Sequence, residues 1–397
     1  MNAVLGANVD RQAMKPVVEL ARRIEADPSR TEEEIDAFVS GNTFPLADAD
    51  SAVFFFRSKE PVEAVYLVHW VFGLESRQPF LRLGETSAWY LPVELPGSAR
   101  VEYKLEVVRA GRSSWVRDPL NPRQAFDPFG ANSVCAMPGY HDPRWVRPET
   151  GIRPGRIVSF TEHSKVYGGS RETQVYLPSE YKPHKRYPLV ICHDGRDYLR
   201  FAAMQTVLDN LIGRHEIAPM LVAFTNGHDR NREYGADPRQ PDYVVNELLP
   251  WVTGRFGVSE DVADRAIMGA SFGGVTSLFT AWTHPGVFGK LMLQSGSFVF
   301  TDIGHHGRSQ LFDPVVTFVN RFRADPGRIG VRRIFLSCGQ FESLIWFNRS
   351  LGPLLREAGI ETRFVESADG HNWINWRDRL RDGLSWLYPG RLWMYYE

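Results

Sequence analysis

The sequence predicts a doubly wound α/β domain preceded by a small antiparallel β-sandwich. Beyond Arg156, apolar runs such as LVIC, MLVAF and LMLQS alternate with helical stretches. Runs of this kind, without strict polar alternation, are typical of parallel strands that are covered on both faces. From Ala52 to about residue 120 the strand-like runs are short, closely spaced and separated by turn-rich pieces, which favours antiparallel strands. The segment 137–156 is rich in Pro and Gly and predicts a linker.

These patterns predict four consecutive parts. They are a helical segment over residues 1–50, the β-sandwich over 51–140, the linker over 141–156 and the α/β domain over 157–397. In the first part, the spacing predicts one helix over residues 11–25 and an acidic helix from Thr31. Glu34, three residues after Thr31, predicts a capping box at the start of the second helix.

Composition excludes several classes of protein. The 397 residues carry 46 Lys and Arg against 47 Asp and Glu, a formal net charge of -1, so neither nucleic acid nor an anionic membrane is an expected partner. The three cysteines are far apart and form no CxxC pair, which argues against a disulfide framework. There is neither a signal-like N-terminus nor a stretch of about 20 apolar residues, so we expect a cytoplasmic protein or a mature form whose signal was removed before the numbering begins. Its oligomeric state is not indicated.

The motif GASFGG, residues 269–274, carries the clearest chemical signal. It is a G-x-S-x-G sequence placed between an apolar strand and a helical stretch. In a nucleophile elbow the glycines allow a sharp turn that exposes the serine hydroxyl and aims backbone N–H groups at the same point. The sequence therefore predicts Ser271 as a catalytic nucleophile.

A nucleophilic serine needs a base, and in enzymes with this elbow the chain order is serine, acid, histidine. The histidines after Ser271 are His284, His305, His306 and His371. His284 lies in a turn that ends a helix, and the pair at 305 and 306 lies in a Gly-flanked loop. His371 follows the last strand-like run, where the base is expected, so it is the predicted base.

The acid is expected in the loop after the penultimate strand. Glu342 lies just past the run RIFLSCG and fits that place. Asp369 is the alternative, but it would have to fold back on its own loop to reach His371. A missed acid, or a site without one, stays open as well.

Acyl transfer also needs N–H donors for the developing oxyanion. One predicted donor is the amide of Phe272, directly after the nucleophile, and the other is the amide of Arg196, after the apolar run that ends in His193-Asp194-Gly195. Because His193 has no second histidine or cysteine at metal-ligand spacing nearby, metal catalysis is not expected. The predicted chemistry needs no metal and no organic cofactor.

These residues, with several further segments, resemble the enterochelin (ferric enterobactin) esterases, relatives of esterase D in the α/β-hydrolase superfamily. The matching segments are FFFR at 54–57, DPLNP at 118–122, HDGRDY at 193–198, NREYG at 231–235, NELLPWV at 246–252, GASFGG at 269–274, LQSGSF at 293–298 and DGHNWINWRDRL at 369–380. The resemblance implies an α/β-hydrolase sheet behind an immunoglobulin-like sandwich. Position by position, it implies Ser271 as nucleophile, His371 as base, Glu342 as acid, and an oxyanion hole near Arg196 and Phe272.

The resemblance also implies a small-molecule ester substrate, a catecholate siderophore or a related aryl ester. A ferric tris-catecholate is anionic and aromatic, so cationic and aromatic side chains near the site would favour it. Arg200, Arg232, Trp373 and Arg377 are the predicted substrate-binding residues. The alternative is structural: Arg232 pairs with a nearby Glu, and the tryptophans pack beneath the helix after His371.

Two rival functions remain open at this point. The first is a carbohydrate acyl esterase, feruloyl or acetyl, whose sandwich holds a glycan on Trp70, Trp89 and Trp115, although three aromatics on alternating strands are also ordinary core filling. The second is an inert hydrolase-fold binding protein. A complete set of nucleophile, base, acid and oxyanion features argues against the second.

Overall fold

The computed structural model describes residues 11–391, and contacts divide these residues into two units. Unit 1 holds the described residues up to His141 together with two short pieces from late in the chain, Gln340–Glu342 and Ala368–His371. Unit 2 holds Asp142–Gly339, Ser343–Ser367 and the described residues from Asn372 onward. The mixed α/β architecture predicted from the sequence is confirmed.

Unit 1 consists of two helices followed by ten strands. The helices are α1 (Lys15–Ala26) and α2 (Thr31–Gly41). The strands are β1 (Leu46–Ala47), β2 (Ser51–Arg57), β3 (Ala64–His69), β4 (Arg77–Pro79), β5 (Leu81–Arg82), β6 (Ala88–Glu94), β7 (Arg100–Arg109), β8 (Arg112–Val116), β9 (Gln124–Asp127) and β10 (Gly130–Ala136).

The strands of unit 1 form two antiparallel sheets. One has the order β1-β2-β6-β5, and the other has the order β4-β3-β7-β10-β9, with β8 pairing to β7. Alternate side chains of β2 point to opposite faces, so Phe54 and Phe56 join a core that both sheets share, whereas Val53 and Phe55 pack with residues of α1 and α2. This is why β2 is buried along almost its whole length.

Unit 2 alternates strands and helices. Its strands are β11 (Arg156–Ser164), β12 (Gly169–Leu177), β13 (Leu189–His193), β14 (Leu221–Thr225), β15 (Arg265–Ala270), β16 (Lys290–Gln294), β17 (Arg333–Gly339) and β18 (Glu361–Ser367). Its helices are α3 (Gly195–Phe201), α4 (Met204–Gly213), α5 (Arg230–Tyr234), α6 (Arg239–Tyr243), α7 (Leu249–Thr253), α8 (Phe272–Thr283), α9 (Asp313–Ala324), α10 (Ile345–Glu357) and α11 (Trp373–Leu387), with a π-helical turn over Val244–Leu248.

These eight strands form one sheet in the order β11-β12-β14-β13-β15-β16-β17-β18. β11 and β12 are antiparallel, and every pair from β14 to β18 is parallel. Two separate apolar cores contain opposite faces of the central strands, one with α8, α9 and α10 and the other with α3, α4 and α11. Because parallel strands share one carboxyl edge, the loops after β13, β15, β17 and β18 all leave the sheet at the same edge.

Two local expectations need correction or comment. The first helix begins at Lys15, after a 3₁₀ turn over Gln12–Met14, rather than at residue 11. The prediction of a capping box is wrong, because the N-cap residue of the second helix is Arg30 and not Thr31. The Thr31 hydroxyl donates to the Pro28 carbonyl at 2.8 Å instead of accepting from a helix N–H group. Within residues 11–391, no helix is long and apolar enough to cross a membrane.

Candidate active site

Ser271 lies at a sharp turn between β15 and α8. Its backbone has φ 59° and ψ -122°, a combination that non-glycine residues rarely adopt and that recurs at functional sites. Its amide donates to the carbonyl of Gln294 at the end of β16, 3.0 Å away, which fixes the turn to the neighbouring strand. The Ser271 hydroxyl is 3.3 Å from the hydroxyl of Ser297.

The glycines of the motif are explained by close backbone approach. A Cβ on Gly269 would lie 2.5 Å from the carbonyl carbon and oxygen of Gly273, because the helix turns back directly onto the strand. A Cβ on Gly273 would lie 3.2 Å from a carboxylate oxygen of Asp194. Both distances are shorter than ordinary carbon contacts, so a side chain at Gly269 would push the turn apart.

Gln294, whose carbonyl accepts the hydrogen bond from the Ser271 amide, is itself held by side-chain hydrogen bonds. The Gln294 side chain accepts a hydrogen bond from the Tyr198 hydroxyl at 2.7 Å and donates to the Trp376 carbonyl at 2.8 Å. The indole N–H of Trp376 in turn donates to Ser295 Oγ at 2.9 Å. Sequence reasoning missed Gln294, although its polar side chain directly follows an apolar run.

The loop after β13 lies under the same elbow. His193 is fully buried, with Nδ1 at 3.1 Å from Ser277 Oγ and 3.3 Å from the Met268 carbonyl. Burial lowers the pKa of His193 to about 3, so its imidazole is neutral at physiological pH. The next residue, Asp194, has φ 55°. Its two carboxylate oxygens accept hydrogen bonds from Nε and Nη2 of Arg230, each at 2.6 Å.

The two predicted oxyanion donors differ in their surroundings. Phe272 is the first residue of α8, so its N–H belongs to the first turn, whose amides have no acceptor within the helix. The amide of Arg196 donates to Asn226 Oδ1 at 3.0 Å. Serving an oxyanion would require Arg196 to release that hydrogen bond, so its role stays a prediction.

Glu342 and His371 form a hydrogen-bonded pair. The Glu342 Oε2 atom is 2.7 Å from His371 Nδ1. The Glu342 side chain is 1% exposed, whereas the His371 side chain is 37% exposed, so the carboxylate is sheltered and the imidazole is accessible. A carboxylate at Nδ1 keeps the proton on that nitrogen and leaves Nε2 able to accept another.

Asp369, the alternative acid, has other partners in the structure. Its carboxylate oxygens lie 3.4 and 3.5 Å from Nη1 of Arg100, a residue of β7, and one of them accepts the amide of Gly370 at 2.7 Å. Asp369 therefore organises its own loop. The Arg100 contact was invisible in the sequence, because the two residues are 269 positions apart.

The predicted substrate-binding residues fall into two groups. Arg200 and Arg232 are exposed. Trp373 is only 8% exposed and packs in a core edge-to-face with Tyr198, and Arg377 is bound to Asp378 and Asp142 at 2.8 and 3.0 Å. The predicted substrate-binding role needs correction for Trp373, because its side chain is buried in a core. The guanidinium of Arg377 is already bound to two carboxylates.

Metal-ligating groups are not clustered in the part of the chain that the structure describes. No three or more His, Cys, Asp or Glu residues there are arranged to hold a metal ion. Two of the other late histidines lie beside single carboxylates: His284 is 3.2 Å from Asp242, and His306 is 2.8 Å from Asp313.

Comparison with known proteins decides the family. A family model described as "Putative esterase" matches residues 164–387, more than half of the chain. The chain belongs to this esterase family. It is thus a hydrolase, and the match contains Ser271, Glu342 and His371.

Relatives of this esterase resemble it over most of its length. The iron(III) salmochelin esterase of Escherichia coli O6:H1 strain CFT073 is 25% identical over 370 residues, which cover 86% of this chain and 88% of the relative. Among solved structures, the ferric enterobactin esterase of Salmonella typhimurium has a TM-score of 0.71 at 23% identity, over 87% of this chain and 95% of the other. The Shigella flexneri enterobactin esterase, crystallised in the presence of enterobactin, has a TM-score of 0.70 at 21% identity, over 86% and 94%.

Proposed function

We propose that this esterase hydrolyses the ester bonds of a catecholate siderophore, of the enterobactin or salmochelin type, through an acyl-enzyme on Ser271. The observation that carries the serine mechanism is the strained elbow. A serine held at φ 59° between a strand and a helix serves no packing purpose that a glycine would not serve better. The substrate class rests on the similarity to salmochelin and enterobactin esterases, which extends over most of the chain.

In the proposed mechanism, Ser271 Oγ attacks the ester carbonyl while His371 Nε2 accepts its proton. Glu342 holds the Nδ1 proton and stabilises the imidazolium that forms. The amide of Phe272 donates to the developing oxyanion. His371 then returns the proton to the leaving alcohol, and a water molecule activated by His371 hydrolyses the acyl-enzyme.

We propose further that unit 2 has the α/β-hydrolase fold and that the sheets of unit 1 form an immunoglobulin-like sandwich. The parallel order of β14 to β18 and the strand-turn-helix position of Ser271 support the first assignment. The core shared by two antiparallel sheets supports the second.

For substrate contact, the exposed guanidinium groups of Arg200 and Arg232 are the proposed cationic residues. A ferric tris-catecholate is trianionic, and exposed arginines can stack on an aryl ring as well as neutralise charge. We expect charge reversal at either position to raise KM for the ferric siderophore more than for a neutral aryl ester.

A side-by-side specificity measurement tests the substrate class. Purified enzyme is assayed on ferric enterobactin, a linear catecholate ester, methyl ferulate and an acetylated sugar, with Ser271→Ala as the blank. We expect the highest kcat/KM on enterobactin or its linear ester. A preference for methyl ferulate or the acetylated sugar would contradict the siderophore assignment and leave the serine mechanism intact.

A further inference from the structure

The loops that carry the proposed acid and base belong by their contacts to unit 1. These pieces, Gln340–Glu342 and Ala368–His371, follow β17 and β18 of the eight-stranded sheet. Phe341 and Ala368 pack against the core that the two antiparallel sheets share. The hydrogen-bonded pair of Glu342 and His371 is thus built on the N-terminal part of the chain.

Backbone hydrogen bonds join these loops to the strands of unit 1 in one continuous series. The Arg100 amide, at the start of β7, donates to the Ala368 carbonyl at 2.9 Å. The Phe341 amide donates to the Asp369 carbonyl at 3.1 Å, and the Phe72 amide donates to the Phe341 carbonyl at 2.7 Å. The segments before Glu342 and before His371 are therefore fixed to each other, and both are fixed to the loops of unit 1.

A buried ion pair reinforces this attachment. The Arg100 side chain is 4% exposed and lies between Asp369, at 3.4 Å, and Glu102, at 2.8 Å. Burial alone would lower the pKa of Arg100, but the two carboxylates raise it above its usual value, so the guanidinium is charged. Removing one member of a buried pair leaves the other charge uncompensated.

The chain distance from this ion pair to the base is short. Asp369 accepts the amide of Gly370 at 2.7 Å, and His371 is the next residue. A shift of the Asp369 carboxylate therefore moves the peptide that precedes the imidazole. Misplacement of a catalytic group by about 1 Å costs about 10²-fold in rate.

We propose that Arg100 is a positioning residue of the esterase, which holds Asp369 and thereby sets the orientation of His371 against Glu342. This inference rests on the proposed function, because it assigns His371 as the base. It makes the N-terminal unit part of the catalytic apparatus, acting on kcat rather than only on substrate binding.

The test compares Arg100→Met, Arg100→Lys and Asp369→Asn with wild type on p-nitrophenyl butyrate. We expect Arg100→Met and Asp369→Asn to lower kcat by about 10- to 100-fold with less than about a threefold change in KM. Arg100→Lys keeps the charge without the planar fork, so it should recover part of the loss. If Arg100→Met does not fold, Asp369→Asn and Arg100→Lys carry the comparison.

The matched control is Tyr103→Phe, three residues along the same strand. The Tyr103 hydroxyl is buried, donates to Asp118 at 2.6 Å and accepts from Asn121 at 2.9 Å. Loss of the Tyr103 hydroxyl is expected to lower the thermal midpoint of the protein, because it removes hydrogen bonds from the sheet that contains Arg100. It removes no hydrogen bond to the loops that carry Glu342 and His371. We expect kcat within about twofold of wild type.

A double mutant separates positioning from general loss of structure. If Arg100 acts through His371, Arg100→Met should cost less when Glu342→Gln has already impaired the orientation of the base, so the combined loss should be at least about threefold smaller than the product of the two single losses. Equal cost in both backgrounds, or unchanged kcat in all three variants, would overturn the positioning role and leave the proposed function intact. Full activity of Ser271→Ala would instead overturn the proposed function itself.

Discussion

Ser271 and His371 are held in place by different kinds of structure. Ser271, the proposed nucleophile, is fixed by its own neighbours, because the turn is enforced by backbone packing between Gly269 and Gly273 and by one hydrogen bond to the next strand. His371, the proposed base, is fixed by partners that are remote in sequence. Its hydrogen-bonding carboxylate is 29 residues away, and the ion pair behind it joins residues 269 positions apart.

This difference explains which substitutions the turn at Ser271 and the loop at His371 can each tolerate. A turn defined by backbone contacts fails when any side chain is added at its closest approach, whatever its chemistry. A loop held by charged and polar side chains fails when a partner is removed and recovers in part when a similar group replaces it. Substitutions in the turn and in the loop therefore separate the two kinds of support.

The largest effect is expected at the nucleophile. Ser271→Ala should lower kcat by about 10³-fold or more on every ester, with an unchanged thermal midpoint, because the hydroxyl supports the reaction and not the packing. The control is Ser297→Ala, which removes the hydroxyl 3.3 Å from that of Ser271 and should stay within about tenfold of wild type. If Ser297→Ala is the more damaging change, the nucleophile has been misassigned.

The next effect is expected at the acid. Glu342→Gln keeps the shape but loses the charge that stabilises the imidazolium, so kcat should fall by about 10²- to 10⁴-fold, less than for Ser271→Ala, with little change in KM. Glu366→Gln is the control: this carboxylate pairs with Arg349 at 2.6 Å on β18 and should change kcat little. A larger loss in Asp369→Asn than in Glu342→Gln would show that Asp369 is the acid.

A third prediction concerns the backbone of the elbow. Gly269→Ala would place a methyl group 2.5 Å from the Gly273 carbonyl and should destabilise the fold by about 1 to 3 kcal/mol, in addition to lowering activity. Gly327→Ala is the matched control for Gly269→Ala, because a Cβ at position 327 would meet no atom within 4 Å. Chemical denaturation of both variants measures the difference, and equal stability would show that close approach does not explain Gly269.

The smallest effect is expected from pH, which acts on the free energy of unfolding through His193. Since the pKa of His193 is about 3 in the folded chain and 6.5 when exposed, the unfolded state takes up a proton first as the pH falls. The contribution of the neutral His193 imidazole to the free energy of unfolding is therefore fully present above pH 6.5 and is lost progressively toward pH 3. The loss amounts to about 2 kcal/mol by pH 5.

Comparison of His193→Gln with wild type tests this prediction through the free energy of unfolding at pH 7 and pH 5. The variant is expected to be less stable at pH 7 but to lose less on acidification. His163→Gln, an exposed histidine of β11, should keep the wild-type pH dependence. An unchanged slope in His193→Gln would contradict the account of His193.

Local features of the site were predictable from the sequence, whereas its support was not. The elbow could be located because a strand, a short motif and a helix are contiguous, and Glu342 and His371 could be proposed as acid and base because each follows a strand-like run. Arg100 sits on an alternating strand like many other surface-type arginines, so nothing local marks it as buried. Trp373 was misread for a similar reason: a tryptophan beside the base can face a ligand or the core, and only packing against Tyr198 decides.

Labelling with diisopropyl fluorophosphate, read by peptide mass spectrometry, tests whether Ser271 is the nucleophile that Glu342 and His371 activate. We expect one phosphoryl adduct per chain, located on Ser271, with a labelling rate that falls in both Glu342→Gln and Arg100→Met and stays near wild type in Tyr103→Phe. An adduct on any other residue would contradict the assignment of the nucleophile, and an undiminished labelling rate in Glu342→Gln would contradict the assignment of the acid and base that activate it.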